Sequence, residues 1–242
     1  SHVYRHARRI LEQVDAATTE LAGLRETPRG ELTVALPMAF SREIVAPHLA
    51  TFTGLYPDIR LDIRIGSTQP DLMRDQIDLA VIVGAAPDSD FMQQRLMDTP
   101  LIWIAGPAIA ASLPRSFNPD RTGKTITVAE TRYAGAAVTV ATPRGGSALV
   151  SLDSSRLVQV NDPLIVRDMV VAGCGLSFAP RIYCEAGLAD GSLVQMYPDC
   201  QIEQESSLSL LFPGHRLLPL KARVFIDFLK RICGRQPTGR IT

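Results

Sequence analysis

The chain has 242 residues, 46% apolar and 21% charged, which suits a globular protein of one large or two small domains. Lys plus Arg and Asp plus Glu both total 25, so the net charge is zero, whereas a surface that grips nucleic acid shows a basic excess. No apolar run has the length of a membrane span, and the N-terminus carries no basic, apolar, small-residue series of an export signal. Ser1-His2 carries no weight. From Val3 the apolar positions Val3, Ala7, Ile10, Val14, Ala17, Leu21 and Leu24 step by fours and threes, a heptad seam. Such a helix is about 33 Å long and predicts pairing with a helix of a second subunit, the alternative being a helix lying on its own domain. Pro28-Arg29-Gly30 ends it.

The next stretch reads strand, helix, strand. Leu32, Val34 and Leu36 alternate with smaller or polar neighbours. Ile44, Val45, Leu49, Phe52 and Tyr56 recur at helical spacing, Pro57-Asp58 breaks the helix, and Leu61, Ile63 and Ile65 alternate again. Two strands joined by a helix predict a parallel pair. In such sheets ligands sit beyond the carboxyl ends of the strands. That edge holds Pro37, Met38, Ala39, Phe40, Ser41, Gly66, Ser67 and Thr68. Pro70 to Arg74 predicts a short helix, and Asp78 to Gly84 a buried third strand. Phe91–Leu96 and Pro100–Ile104 read as strands, and Ala108–Leu113 as a short helix. In a second α/β segment, Thr125–Val128, Ala137–Ala141 and Arg156–Val160 are strand candidates. Asn161-Asp162-Pro163 predicts a helix start, with Gly173 as its left-handed stop. Leu176–Pro180, Leu193–Tyr197 and the alternation Leu208, Leu210, Phe212 predict further strands, and Arg181–Ala186 a short helix. Pro219 opens a last helix with Val224, Phe225, Phe228, Leu229 and Ile232 inward, and Gly234–Thr242 is a tail.

The order and spacing of these stretches resemble the effector-binding domain of LysR-type transcriptional regulators from Arg29 to Ile232. Gly30-Glu-Leu-Thr-Val-Ala-Leu-Pro is similar to that family's first strand. Val45-Ala-Pro-His-Leu-Ala-Thr-Phe with Tyr56-Pro-Asp-Ile-Arg-Leu-Asp is similar to its first helix and second strand. Gln76-Ile-Asp-Leu-Ala-Val, Ala172-Gly-Cys-Gly-Leu-Ser-Phe-Ala-Pro and Arg223-Val-Phe-Ile-Asp-Phe-Leu continue the pattern, and the heptad seam resembles the family's linker helix. The resemblance implies an α/β fold of two Rossmann-like subdomains joined by two crossovers, as in type 2 periplasmic binding proteins, with an N-terminal linker helix. The implied layout is a linker helix over 1–27, subdomain I over 30–105 and 208–232, subdomain II over 106–207, and a tail over 233–242. It also implies a homodimer or homotetramer in the cytoplasm, sensing a small-molecule effector held between the subdomains. DNA would be bound through a winged helix-turn-helix that this sequence does not contain. A periplasmic or extracellular solute-binding protein for a small organic anion is the alternative.

The chemistry-bearing residues point the same way. There is no G-x-S-x-G elbow, P-loop or H-E-x-x-H, and His2, His6, His48 and His215 have no metal-ligand spacing, so no enzyme, cofactor or metal is expected. The cysteines Cys174, Cys184, Cys200 and Cys233 lack C-x-x-C spacing and read as reduced structural thiols. Ser41 falls at the expected N-cap of the first helix, where free N–H groups favour a carboxylate, so it either caps the helix, touches an organic acid, or both. Phe40 either packs on the ligand or closes the core. In the second segment Ala141, Thr142 and Asn161 end strands that could face a cleft, Asn161 doubling as a cap. Arg144 and Arg181 are candidate anion partners, with a solvated role as the alternative for each.

Overall fold

The computed structural model describes residues 27–66, 72–85, 91–133, 135, 137–143, 145–152, 157–204, 206–213 and 218–234. The heptad seam, Ser67, Thr68, Arg144 and the tail beyond Gly234 lie outside them. Strand β1 (Gly30–Leu36) is followed by a continuous helical run, α1, whose segments are Met38–Phe40, Ser41–Val45, Ala46–His48 and Leu49–Leu55. Then come β2 (Ile59–Ile65), β3 (Leu79–Val83), β4 (Phe91–Asp98) and β5 (Leu101–Ala105). After α2 (Pro107–Ser112) and α3 (Pro119–Thr125) follow β6 (Val128–Glu130), β7 (Val138–Ala141), β8 (Ser147–Val150) and β9 (Val158–Val160). Helix α4 (Pro163–Val171), β10 (Leu176–Pro180), α5 (Glu185–Asp190), β11 (Val194–Met196), β12 (Gln201–Ile202), β13 (Ser207–Pro213) and α6 (Leu220–Gly234) complete the order.

Two units divide the chain, which passes between them twice. The first runs to Leu96 and resumes at Ser209; the second is Met97–Leu208. The first is built on a five-stranded sheet in the order β2-β1-β3-β13-β4. β1 pairs parallel with β2 in the register Gly30↔Ile59 to Leu36↔Ile65, as the strand–helix–strand pattern requires. Asp78 knits this sheet to α6: its carboxylate accepts from the Thr33 amide at 3.0 Å and pairs with Lys221 at 3.2 Å. Helix α6 buries Ala222, Phe225, Ile226, Phe228, Leu229, Ile232 and Cys233. Its Phe225 and Phe228 rings lie 5.0 and 5.1 Å from Phe52 of α1. Val224, expected inward, is only half-buried, because Ile226 and Cys233 extend the apolar stripe to one side of it.

In the second unit β5 pairs antiparallel with β10 and β11. It is buried on both faces and splits its side chains by the period-2 rule. Leu101, Trp103 and Ala105 join one cluster with Phe178 and Tyr197. Ile102 and Ile104 join another with Val166, Val170 and Cys184. Two local expectations fail. Thr125 does not open a strand but ends α3, because Asn118 accepts from the Arg121 amide at 3.0 Å and Pro119 sits in the first turn. Leu72 to Gln76 is a turn rather than a helix. Strand β8, not anticipated, carries a half-exposed SALV pattern with little alternation. Gly173 is the expected left-handed stop at φ 93°, with the Cys174 and Gly173 amides bonded back to the Met169 and Val170 carbonyls in Schellman fashion.

All four cysteines are unbridged; Cys174 is exposed and the other three are buried. Burial pushes the Cys184 and Cys233 thiols up to about 12 and raises Cys200. A thiol reagent at about pH 8 should therefore modify Cys174 rapidly and the other three only as the chain unfolds. More than one rapidly reacting thiol per chain would contradict that assignment.

Candidate functional site

Because Leu36 and Ile65 are partners, β1 and β2 finish side by side, with Pro37 after one and exposed Gly66 after the other. Helix α1 begins immediately. Pro37 is extended (φ −61°, ψ 144°) and stands at the N-cap, so the helix starts at Met38 and the cap lies four residues before the one expected at Ser41. Ser41 lies one turn in, its amide donating to the Pro37 carbonyl at 2.9 Å. The amides of Met38, Ala39 and Phe40 precede the first intrahelical bond, and the helix dipole makes this end partially positive. Pro37 supplies no side-chain oxygen to cap them.

Ser41 is 6% exposed, and its Oγ has no hydrogen-bond partner among the described residues. An unsatisfied buried hydroxyl costs about 1–3 kcal/mol, so a hydroxyl kept at a helix start on a strand-end edge calls for a reason. The backbone is also special there. The Ala46 amide bonds the Ser41 carbonyl, giving a widened π turn over Ser41–Val45. Pro47, which has no N–H to give, follows directly, and the His48 ring Nδ1 donates to the Ile44 carbonyl at 3.0 Å. Phe40 is fully buried and Ala39 nearly so, so the Phe40 ring closes the core, while Met38 is half exposed.

The second-unit residues do not share one surface element. Ala141 ends β7, and Thr142 closes the β7–β8 hairpin: its amide and hydroxyl both donate to the Gly146 carbonyl, at 3.1 and 3.3 Å. Asn161 follows β9, on the separate parallel pair β6–β9. It is not the cap of α4. Asp162 is, accepting from the Leu164 and Ile165 amides at 2.8 and 3.3 Å. Asn161 stays exposed, with its side chain unbonded to described residues. Asp162→Ala should therefore cost about 1 kcal/mol in urea unfolding and Asn161→Ala almost nothing. Equal losses would place the cap on Asn161. Arg181 is committed to Glu185 at 3.0 Å and to Gln195 at 2.9 Å.

A polar cluster not evident in the sequence lies at the carboxyl end of β6. Glu130, with its side chain 5% exposed, accepts on Oε1 from Arg132 Nε at 2.6 Å and also from Arg132 Nη2. The Arg132 guanidinium stands 5.7 Å from the centre of the Tyr133 ring. The buried Tyr133 hydroxyl makes no well-aligned hydrogen bond among the described residues. Burial raises its pKa; the Arg132 charge and the nearby Ser206 hydroxyl oppose this, and the Glu130 charge adds to it. Ser206 Oγ also shares a hydrogen bond with Thr99 Oγ1 at 2.7 Å. The signal in the sequence is slight: a Glu closes the strand-like stretch Ile126-Thr-Val-Ala, with Arg two residues on.

Burial raises the Glu130 carboxyl above its ordinary range; Arg132 opposes this without overcoming it, and the Asp162 charge adds to the rise. The folded chain then keeps a proton on Glu130 at pH values where the unfolded chain has released it. Its contribution to stability is present in acid and is lost as pH rises through the raised value. Relative to Glu130→Gln, the wild type should lose stability as pH rises from the ordinary carboxylate range towards that value. Paired urea midpoints across that range check this, and a difference of opposite slope would contradict it.

Known proteins resemble this chain in sequence and fold. The model of the LysR substrate binding domain matches residues 25–234. PtxR of Pseudomonas aeruginosa, an HTH-type transcriptional regulator, is 27% identical over 231 residues, 96% of this chain and 73% of its own length. CrgA of Neisseria meningitidis, another such regulator, is 25% identical over 243 residues, 98% of this chain and 78% of its own. The solved CrgA structure, a LysR-type transcriptional regulator, superposes with a TM-score of 0.74 at 24% identity, covering 96% of this chain and 78% of that one. The full-length structure of AphB, a virulence activator of Vibrio cholerae, gives a TM-score of 0.70 at 23% identity, covering 93% of this chain and 76% of that one. These likenesses define the fold class as that of LysR regulatory domains. The chain belongs to the LysR substrate-binding-domain family, which makes it an effector-binding region of a LysR-type transcriptional regulator and disfavours the solute-binding-protein alternative.

Proposed function

We propose that the effector is a small organic acid whose carboxylate docks at the start of α1, on the amides of Met38, Ala39 and Phe40 and the hydroxyl of Ser41. The buried, unpartnered Ser41 Oγ is the observation that carries this reading, because a carboxylate oxygen satisfies it and the helix end together. Pro37 and Gly66 flank the position at the paired strand ends, and Ser67 and Thr68 continue the same edge in sequence. In the second unit the Asn161 side chain is uncommitted among the described residues, while Ala141 and Thr142 are engaged in the hairpin they close. The effector works through its differential affinity for two states of the domain. In the whole regulator that bias passes through the Val3 to Leu24 seam, which pairs subunits as a dimer or tetramer, to a DNA-binding segment outside this sequence. A regulator that must reach DNA works in the cytoplasm, and no helix of the described residues is long and apolar enough to cross a membrane.

A thermal-shift screen of ionised small organic acids tests the reading. At least one should raise the unfolding midpoint, with stabilisation growing as RT ln(1 + [L]/Kd), about 2.7 kcal/mol at a hundredfold excess over Kd. A flat response to every acid at millimolar concentration would contradict it.

A further inference from the structure

Helix α1 carries a proline where a helix has least use for one. Pro47 is exposed and lies inside the helical run. A proline in a helix interior removes one backbone donor, and its ring crowds the carbonyl four residues back, here that of Glu43. It is the least favourable residue for such a position. An exposed side chain gains little from packing, so the effect of Pro47 falls on the backbone. Just upstream, the Ala46 amide bonds the Ser41 carbonyl five residues back, which makes the turn Ser41–Val45 one residue wider than an α turn. Just downstream, the His48 ring Nδ1 lies 3.0 Å from the Ile44 carbonyl and holds the other side of the turn. The apolar stripe asks for no widening: Ile44, Val45, Leu49 and Phe52 are spaced as on a regular helix.

The widened turn matters for what stands in front of it. An α-helix turns about 100° per residue, so one extra residue rotates Met38 to Ser41 by roughly that angle relative to the body of α1. A serine or threonine inside a helix can satisfy its hydroxyl on a carbonyl three or four residues back. Thr53, in the regular part of the same run, does so, with its hydroxyl 3.2 Å from the carbonyls of Leu49 and Ala50. Ser41 Oγ does not, although the Pro37 carbonyl lies one turn back and takes the Ser41 amide at 2.9 Å. We propose that Pro47 is a positioning residue for the sensing site: by widening the turn behind Ser41 it aims the Ser41 hydroxyl off its own helix and at the carboxylate docked on the first-turn amides. This rests on the reading that Ser41 takes an effector carboxylate, and it adds a requirement of its own. With a regular turn the hydroxyl folds back on the helix backbone and is lost to the ligand, although Pro47 itself touches no ligand.

Wild type, Ser41→Ala, Pro47→Ala and the double variant test it in two measurements on the whole chain. The first, urea unfolding, uses no ligand. Pro47→Ala should raise the midpoint, because it restores a donor to an exposed helical position. Ser41→Ala should leave the wild-type midpoint unchanged or slightly raised, because the hydroxyl has no partner to lose. In the Pro47→Ala background the hydroxyl bonds its own helix, so Ser41→Ala should there lower the midpoint. An equal shift in both backgrounds would overturn the proposal. The second is calorimetric titration with propionate and with 3-phenylpropionate, one small carboxylate and one bulky. For at least one of them Pro47→Ala should weaken binding about tenfold despite its greater stability, and adding Ser41→Ala should weaken it little further. If Ser41→Ala binds weakly while Pro47→Ala binds as tightly as wild type, the positioning role is overturned and the site stands. Affinity unchanged by Ser41→Ala would instead remove the carboxylate site and with it the use proposed for the turn, a failure that the ligand-free cycle separates from a failure of the turn itself.

Discussion

Phe52→Ala should remove about 3–5 kcal/mol of stability, among the largest losses available to a single substitution in the first unit. Phe52 is 1% exposed and stands between two elements far apart in sequence. Its ring meets Phe225 edge-on at 5.0 Å, Phe228 at 5.1 Å and Tyr56 at 5.1 Å, so truncation opens a cavity that three rings line. Phe225 and Phe228 sit on α6 and Tyr56 at the end of α1, and neither helix can collapse onto the gap without moving as a body. Phe52→Leu should recover about half of the loss by refilling much of the volume. Urea unfolding followed by far-UV circular dichroism measures both. A loss below about 1 kcal/mol for the alanine variant would show that α6 does not pack on α1 as described.

Trp103→Ala should be as damaging to the second unit, about 3–5 kcal/mol. Trp103 is 1% exposed at the middle of β5, with Phe117, Phe178 and Tyr197 at 6.2, 5.5 and 6.5 Å. Its indole nitrogen is buried with no acceptor among the described residues, which sets up a second comparison. Trp103→Phe keeps a ring against Phe178 and deletes the unsatisfied N–H, so it should cost roughly half as much or less. As the only tryptophan in the chain, Trp103 also makes wild-type fluorescence a report on this unit alone. Equal losses for the alanine and phenylalanine variants would mean that a benzyl ring refills nothing, against this account of the packing.

The parallel β1–β2 pair is readable in the sequence because its side chains alternate cleanly and a helical stripe of ordinary length separates the strands. The buried runs at Leu79–Val83 and Leu176–Pro180 are equally plain, since apolar stretches bounded by glycine and proline have few other uses. The start of α1 is misplaced in the sequence for a specific reason. A serine in front of an apolar stripe looks like a cap, but Pro37 can hold the extended cap position and let the helix begin sooner. Asn161 and Asp162 are both good caps, and only the chain path decides between them. Strand β8 is hard to see because its residues are mostly exposed and its pairing is tertiary. Glu130 is inconspicuous because burial is a property of the fold. In sequence it is one of 25 acidic residues.

An acid found to stabilise the chain should be titrated calorimetrically into wild type and Ser41→Ala. Removing a hydroxyl that has no partner in the protein should leave the unfolding midpoint unchanged or slightly raised. If the carboxylate docks on Ser41 and the first-turn amides of α1, affinity should fall about tenfold or more. Equal affinity for the two proteins, at equal stability, would move the sensing site away from the edge where β1 and β2 end.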